Sequence, residues 1–262
     1  MQERHSNRYL YFEELSTTSR EFYISYVREF IDLTPQTRIL EIGCGEGGNL
    51  LPFAENGCYV MGLDIKSEQI ENAKNFFAKN NQKGSFICED MVTAKPPTSE
   101  EECFDIVLIH DVVEHIEWPY KDAFFEQVKR FMKIDAIVFF AFPAWQMPFG
   151  GHQQIAQGFA SKFAWLHLLP LKLYTWFLRK SKENEECINE LISIRKSKMP
   201  IEKFEKLYKS HNMQKIDCVY WFINPHYKQK FGLKPKKVIS LFGYLPYIRN
   251  FYTTSAWFVL KK

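Results

Sequence analysis

No run in this 262-residue sequence is both long and apolar enough to span a bilayer. The most apolar stretch, Phe163 to Leu178, covers 16 residues and is interrupted by Pro170 and Lys172, whereas a spanning helix needs about 20 apolar residues. Paired cysteines are missing too. The six cysteines stand at 44, 58, 88, 103, 187 and 218 with no Cys-x-x-Cys among them, which excludes a disulfide framework and a cysteine-type zinc site and points to a reducing compartment. Met1 to Asn7 is polar and lacks the apolar core of a secretory signal, so the expected location is the cytoplasm. Acidic charge is scarce in the second part of the chain: residues 161–262 hold 20 Lys and Arg against 7 Asp and Glu, a net +13, while residues 1–160 hold 14 against 24. Such a basic segment suits an anionic partner, whether a phosphate-bearing substrate, a nucleic acid or a membrane surface, or it is simply a solvated face.

Against these absences stands one dense motif. Residues 39–48 read Ile-Leu-Glu-Ile-Gly-Cys-Gly-Glu-Gly-Gly, an apolar strand running into glycines, and Asp64 ends the next apolar run. Glycines here let a small molecule lie directly against the main chain. Gly43-x-Gly45-x-x-Gly48 fits the dinucleotide fingerprint, in which a helix N-terminus receives a pyrophosphate. Glu41 argues otherwise, because a carboxylate two residues before the first glycine suits a cationic ligand and repels a pyrophosphate. The pattern Glu41-x-Gly43-x-Gly45-x-Gly47 resembles the first motif of the class I S-adenosylmethionine-dependent methyltransferases, whose cofactor carries a sulfonium and an amino group and no phosphate.

That resemblance implies a Rossmann-like α/β fold: a seven-stranded, mostly parallel sheet with helices on both faces and strand seven antiparallel between five and six. The following residues supply the landmarks. Tyr59 to Leu63 is a strand ending in Asp64 and Ile65, and the Asp64 carboxylate would accept from both ribose hydroxyls. Ser67 is placed to cap a helix over Glu68 to Lys79, with Ile70, Ala73 and Phe77 on one side. Ser85 to Cys88 is a third strand, followed by Glu89, Asp90 and Met91; by resemblance Asp90 contacts the adenine amino group. Phe104 to Ile109 is an uninterrupted apolar strand, as expected for one buried on both faces. His110 to Ile116 follows, resembling the family's fourth motif, with the Glu-His-Ile ending of the ubiquinone-biosynthesis branch. Ala136 to Phe142 is the fifth strand. The cofactor set is therefore Glu41, Gly43, Cys44, Gly45, Gly47, Asp64, Ile65, Asp90, Met91 and His110, with Cys44 and His110 contributing backbone.

Outside this core, Leu15 to Leu33 is expected as a helix over the sheet, capped within Ser16 to Ser19, with Phe22, Tyr26, Val27 and Phe30 as its apolar stripe. Tyr9 and Tyr11 lie just ahead of it, where an aromatic closes over the cofactor in some relatives or merely packs. Residues 95–102 read as a surface loop. The chain is expected to form one methyltransferase domain: 1–34 a helical segment, 35–142 the cofactor core, 143–213 a helical insertion that carries specificity or forms a lid, and 214–262 the last strands. The insertion opens on a Pro- and Gly-rich loop, 142–153, at the edge of the sheet where ligands bind in open α/β folds. His152 on that loop is a candidate base or substrate contact. Residues 159–180, with tryptophans, leucines and flanking lysines, could lie in a membrane interface, cover an apolar substrate, or pack as ordinary helices. Pro200 to Asn212 is expected as a helix, Lys215 to Phe222 as strand six and Thr253 to Leu260 as strand seven.

Methyl transfer is an in-line displacement, accelerated largely by positioning in a dry pocket. His115 could orient or deprotonate an acceptor hydroxyl. The run His110 to His115 does not set two histidines on one helical face as an i, i+4 zinc pair would, so no metal is expected. The expected substrate is a small molecule, methylated on an oxygen and apolar, lipid-like or anionic. No nucleic-acid substrate is expected, since strand four leads into His110-Asp111-Val112-Val113 rather than an Asn/Asp-Pro-Pro-aromatic motif. The alternatives are a nucleotide-dependent oxidoreductase and a cofactor-binding module without catalysis.

Overall fold

A computed structural model describes residues 7–262; the polar start on which the absence of a secretory signal rests lies outside them, Asn7 excepted. Eight strands form one sheet in the order β3-β2-β1-β4-β5-β8-β6-β7. They are β1 (Arg38–Ile42), β2 (Tyr59–Asp64), β3 (Ser85–Cys88), β4 (Phe104–His110), β5 (Met132–Phe142), β6 (Gln214–Ile223), β7 (Lys236–Lys237) and β8 (Ser255–Lys261). The first five run parallel, and β8 lies antiparallel between β5 and β6. The anticipated seven-stranded order is present, with the seventh strand being β8. The additional strand is β7, a two-residue edge on β6, too short to carry any periodicity.

Two helical boundaries differ from expectation. Helix α1 begins at Arg8 rather than Leu15: it runs Arg8–Thr18, passes through a π-helical turn at Ser19–Tyr23 and ends in Ile24–Val27. Asn7 is its cap, the side chain accepting from Leu10 N at 3.0 Å. Ser16 and Thr18 do not cap; their hydroxyls donate back to the carbonyls of Glu13 and Glu14, which lets these residues sit inside a helix. Tyr9 and Tyr11 are therefore part of the helix. Helices α2 (Leu51–Glu55) and α3 (Ser67–Lys79) follow β1 and β2. Ser67 is the first residue of α3 and makes no capping bond, Lys66 occupying the cap position. Helix α4 (Trp118–Phe131) joins β4 to β5.

The sheet separates two apolar layers. On one face α4 and α7 (Ile201–Ser210) bury Phe124, Phe125, Phe131, Phe204 and Tyr208 against Leu40, Val107, Phe140 and Phe258; on the other α1 and α3 bury Phe12, Tyr23, Val27 and Phe77 against Ile39, Ile106, Phe139 and Trp257. Each such side chain contributes about 2 kcal/mol by leaving water. The insertion has a separate small core of Ala156, Ala160, Leu166, Tyr174, Leu178, Ile188 and Leu191, built by short 3-10 turns, α5 (Leu171–Lys180) and α6 (Glu185–Ser197). Further on come α8 (Tyr227–Phe231), α9 (Ser240–Gly243) and α10 (Arg249–Tyr252). A polar network fastens α10 to α7: Arg249 pairs with Glu202 at 2.9 Å and Glu205 at 2.8 Å, and Asn250 accepts from Ile201 N while donating to Glu202.

Candidate functional site

The loop after β1 lies at the C-terminal edge of the parallel strands. Gly43, Gly45 and Gly47 all have left-handed φ, +70°, +52° and +79°. A Cβ on Gly43 would run into Val112 Cγ2, so glycine is required there for β1 and the segment after β4 to touch. A Cβ on Gly45 would meet nothing closer than 3.8 Å; its conformation alone demands glycine, and the space above it is open to a ligand. Cys44 N and Gly43 N both donate to Leu63 O, tying the loop to β2. The Cys44 thiol is buried and pushed well above its ordinary pKa by that burial, reinforced by the charges of Glu41 and Asp64, which leaves it inert.

Asp64 accepts from Gly45 N and Lys66 N, each at 2.9 Å. Those bonds fix the carboxylate at the loop's edge while leaving lone pairs on both oxygens. Beside it Ile65 is 69% and Ile87 41% exposed, apolar side chains at the ends of neighbouring strands where a flat base could lie. Asp90 is exposed and caps its own turn, accepting from Val92 N at 2.9 Å. Met91 instead points inward to the core layer that holds Leu63. Under the glycines Glu41 is 1% exposed. Its Oε1 accepts from Asn49 Nδ2 at 2.7 Å, and its Oε2 has no hydrogen-bond partner. Burial pushes its pKa up to about 8, opposed by the Asn49 bond and assisted by Asp64. Helix α1 closes the site from the outside, Arg8 pairing with buried Glu46 at 2.6 Å. Tyr9 packs on Phe12 and Phe76, so its role is packing.

At the end of β4 the His110 ring receives a side-chain role the sequence did not suggest: its Nε2 lies 2.6 Å from the hydroxyl of buried Tyr23. Asp111 then adopts φ +52° and turns the chain so that Val112 presses on Gly43. Glu114 is buried, with neither carboxylate oxygen hydrogen-bonded. Burial and the Asp111 charge hold its pKa well above the usual carboxylate range. His115 follows on the surface, its Nε2 3.9 Å from Glu114 Oε1. From the insertion loop His152, at φ +55°, comes to meet it, with ring centroids 4.8 Å apart. Burial, then the neighbouring His115, lowers the His152 pKa to about 4. The loop is held by His167, whose Nε2 contacts Trp145 O at 2.7 Å.

Both histidines singled out from the sequence therefore meet at one place. Glu114 joins them, the donor atoms of the three lying within 4.8 Å of one another. The spacing argument against a metal concerned only His110 and His115; the cluster forms from a different pair, separated by 36 intervening residues, which no local pattern reveals. Lys121 is a further member of this region that the sequence pattern does not mark. It is fully buried on α4, donates from Nζ to Val113 O at 2.6 Å and is lowered to about 7 by burial. A signal was available in its position three residues into a helix that starts Trp118-Pro119, on the inward side.

Residues 39–135 match the family model described as a methyltransferase domain. Among curated proteins, the ubiquinone biosynthesis O-methyltransferase of Bartonella tribocorum is 37% identical over 95 residues, 36% of this chain and 37% of the relative. That of Pelagibacter ubique is 32% identical over 105 residues, 40% and 41% of the two chains. The chain thus matches about two fifths of the length of these relatives. Among solved structures, an S-adenosylmethionine-dependent methyltransferase from Clostridium acetobutylicum covers 94% of this chain and 91% of its own, at 13% identity and a TM-score of 0.59. The plantazolicin methyltransferase BpumL, solved with a pentazolic desmethylPZN analog and SAH, covers 99% and 88%, at 16% identity and 0.59. At such identities the two structures establish the fold.

Proposed function

We propose, from the premise that residues 39–135 are a methyltransferase domain of the class I fold, that the protein transfers a methyl group from S-adenosylmethionine to an oxygen of a small molecule. The observation that carries this reading is the pairing of an open glycine turn at Gly45 with a buried carboxylate, Glu41, that has one oxygen unpartnered. A cation completes such a site and a pyrophosphate does not, which disfavours the oxidoreductase. S-adenosylmethionine supplies an electrophilic methyl group on a sulfonium. Asp64 receives the ribose hydroxyls, Ile65 and Ile87 flank the adenine, Asp90 faces its amino group, and the Glu41 charge favours the cationic end. His115 and His152, whose rings meet edge to face, hold the acceptor's hydroxyl in line with the methyl. The two curated relatives named above are ubiquinone biosynthesis O-methyltransferases, which supports oxygen as the acceptor atom.

Calorimetric titration with S-adenosylhomocysteine tests the cofactor. The wild type should bind, and Asp64→Ala should bind about 100-fold more weakly, the loss expected from two hydrogen bonds to a charged group at about 1.5 kcal/mol each. Absence of wild-type binding would remove the methyltransferase reading.

The acceptor in this reading is apolar or lipid-like, and residues 143–213 select it. In their favour, Phe163, Trp165, Leu171, Leu173 and Trp176 are all exposed and are flanked by Lys162, Lys172 and Lys180, the composition of an interfacial segment. No helix among the described residues is long and apolar enough to cross a membrane. Sedimentation with anionic phospholipid vesicles should recover the protein in the pellet, and the double variant Trp165→Ser/Trp176→Ser should leave most of it in solution. Equal partition of the two proteins would refute lipid contact through this segment.

A further inference from the structure

We infer that the surface cavity between helix α1, the end of β6 and the segment after α8 binds a small organic anion with a flat apolar ring, and that its occupancy acts on the cofactor site through the π-helical turn of α1. The cavity stands on its own residues; its coupling to the cofactor rests on the reading above.

The cavity has a volume of about 480 Å³ and is lined by Phe22, Trp221, Lys228, Gly232, Lys234 and Pro235, a size within the range of small-molecule sites. Its chemistry has two parts. Phe22 and Trp221 meet at 78° with ring centroids 6.4 Å apart, an aromatic corner in which a flat ring packs on one face and against the edge of the other. Trp221 is 9% exposed and its Nε1 has no acceptor among the described residues, which leaves a buried donor over for a ligand oxygen. Lys228 and Lys234 supply positive charge, and the Lys237 ammonium lies 5.8 Å from the Trp221 ring. Residues 218–262 contain no Asp or Glu, so an anion here meets no carboxylate from the part of the chain that supplies most of the lining. Gly232 ends α8 at φ +67°, and a Cβ on it would meet nothing within 4 Å, so the cavity is open on that side.

The turn Ser19–Tyr23 links this cavity to the cofactor site. Glu21 accepts from Lys228 at 2.8 Å, Phe22 lines the cavity, and the Tyr23 hydroxyl lies 2.6 Å from His110 Nε2 at the end of β4. At the start of the turn Ser19 Oγ donates to Asn49 O at 2.7 Å, and the Asn49 side chain donates to Glu41 beneath the glycine loop. A π-helical turn is a rare local arrangement, found frequently at functional sites. An anion in the cavity competes with Glu21 for the Lys228 ammonium and bears on Phe22, so the turn that places Ser19 and Tyr23 is held less firmly. Anion and cofactor therefore oppose each other.

Calorimetric titration of the full chain with naphthoate tests the cavity, with naphthalenemethanol as the neutral ring and acetate as the bare anion. The expected result is one naphthoate per chain, bound at least about tenfold more tightly than either control, the worth of one charge-assisted contact. Lys234→Glu should weaken naphthoate by about tenfold or more for the same reason. Lys172→Glu, which alters the other exposed surface of lysine and tryptophan beside Leu173 and Trp176, should leave it unchanged. Lys234 is exposed, and thermal unfolding like that of the wild type shows its variant to be folded. Equal affinity for naphthoate and the alcohol, or wild-type affinity in Lys234→Glu, would overturn the site. With naphthoate saturating, S-adenosylhomocysteine should bind about fivefold more weakly, and by reciprocity naphthoate should lose the same factor when S-adenosylhomocysteine is bound. Tyr23→Phe should keep naphthoate and lose this coupling. An affinity for S-adenosylhomocysteine that naphthoate leaves unchanged would overturn the coupling. Naphthoate binding with no S-adenosylhomocysteine binding at all would keep the cavity and remove the methyltransferase reading instead.

Discussion

Arg249→Ala is expected to lower the unfolding free energy by about 3 kcal/mol, the loss typical when one member of a buried ion pair is removed and its partners stay behind. Arg249 is 9% exposed and reaches three groups from α10: Glu202 at 2.9 Å, Glu205 at 2.8 Å and the Tyr220 hydroxyl at 3.0 Å. Truncation strands two carboxylates near the core layer under α7. Burial works to raise the Glu202 pKa, but hydrogen bonds from Tyr247 N and Asn250 and the Arg249 charge overcome it and hold the group below its ordinary value. For a carboxylate lowered on folding, the stabilisation is present above the unfolded pKa and is lost as pH falls through the folded one. The difference between wild type and Arg249→Ala should therefore be full at pH 7 and shrink in acid below about pH 4. Urea unfolding at pH 7 and pH 3 reads both values; a loss under 1 kcal/mol at pH 7 would show that the network contributes little. Arg249→Lys should recover only part, because one ammonium cannot serve three acceptors in a fixed fork.

That network was hidden in the sequence for a definite reason. Glu202, Glu205 and Arg249 come from a helix and a short turn more than 40 residues apart, and nothing in Ile248-Arg249-Asn250 distinguishes a buried arginine from a solvated one. Strands β1 to β5 were legible because strands buried on both faces are continuous apolar runs, and their turns carry glycine or acids at fixed intervals. Phe104 to Ile109 is the clearest example. Strand β7 was not legible, since two lysines at an edge have no pattern. The start of helix α1 is not legible because Ser16 and Thr18 have the residue types of caps, whereas their hydroxyls donate back to the preceding turn. In the site, the residues that touch backbone were readable: Gly43, Gly45, Gly47 and Asp64 act through local geometry. The convergence of His152 on Glu114 and His115 was not readable, because it depends on how an irregular insertion folds back over the sheet edge. The sequence offers each histidine separately; the buried Glu114 beside them is what makes them one site.

Glu41→Gln is expected to stabilise the protein at alkaline pH and to leave it nearly unchanged in mild acid. The carboxyl is buried beneath the glycine loop with a folded pKa of about 8, against an ordinary value of 4.5. A group raised on folding contributes stability that is fully present below its unfolded pKa and is lost as pH rises through its folded one. The window therefore runs from about pH 4.5 to pH 8. Across it the wild type should lose roughly 5 kcal/mol relative to the glutamine variant, from a separation of about 3.5 in pKa at 1.36 kcal/mol for each unit. Glutamine keeps an oxygen to accept from Asn49 Nδ2, so the comparison isolates the charge. Thermal unfolding of both proteins at pH 5 and pH 9 reads the effect, and equal differences at the two pH values would show that Glu41 is not held protonated. An unfavourable charge kept at this position makes sense only if a ligand cation offsets it. Binding of S-adenosylmethionine should then ionise Glu41, release a proton and tighten as pH rises, whereas the Gln variant should bind more weakly and without that pH dependence. Calorimetry in two buffers of different ionisation enthalpy measures the proton directly. The same carboxylate that weakens the empty protein would thus be what selects a sulfonium cofactor over a pyrophosphate one.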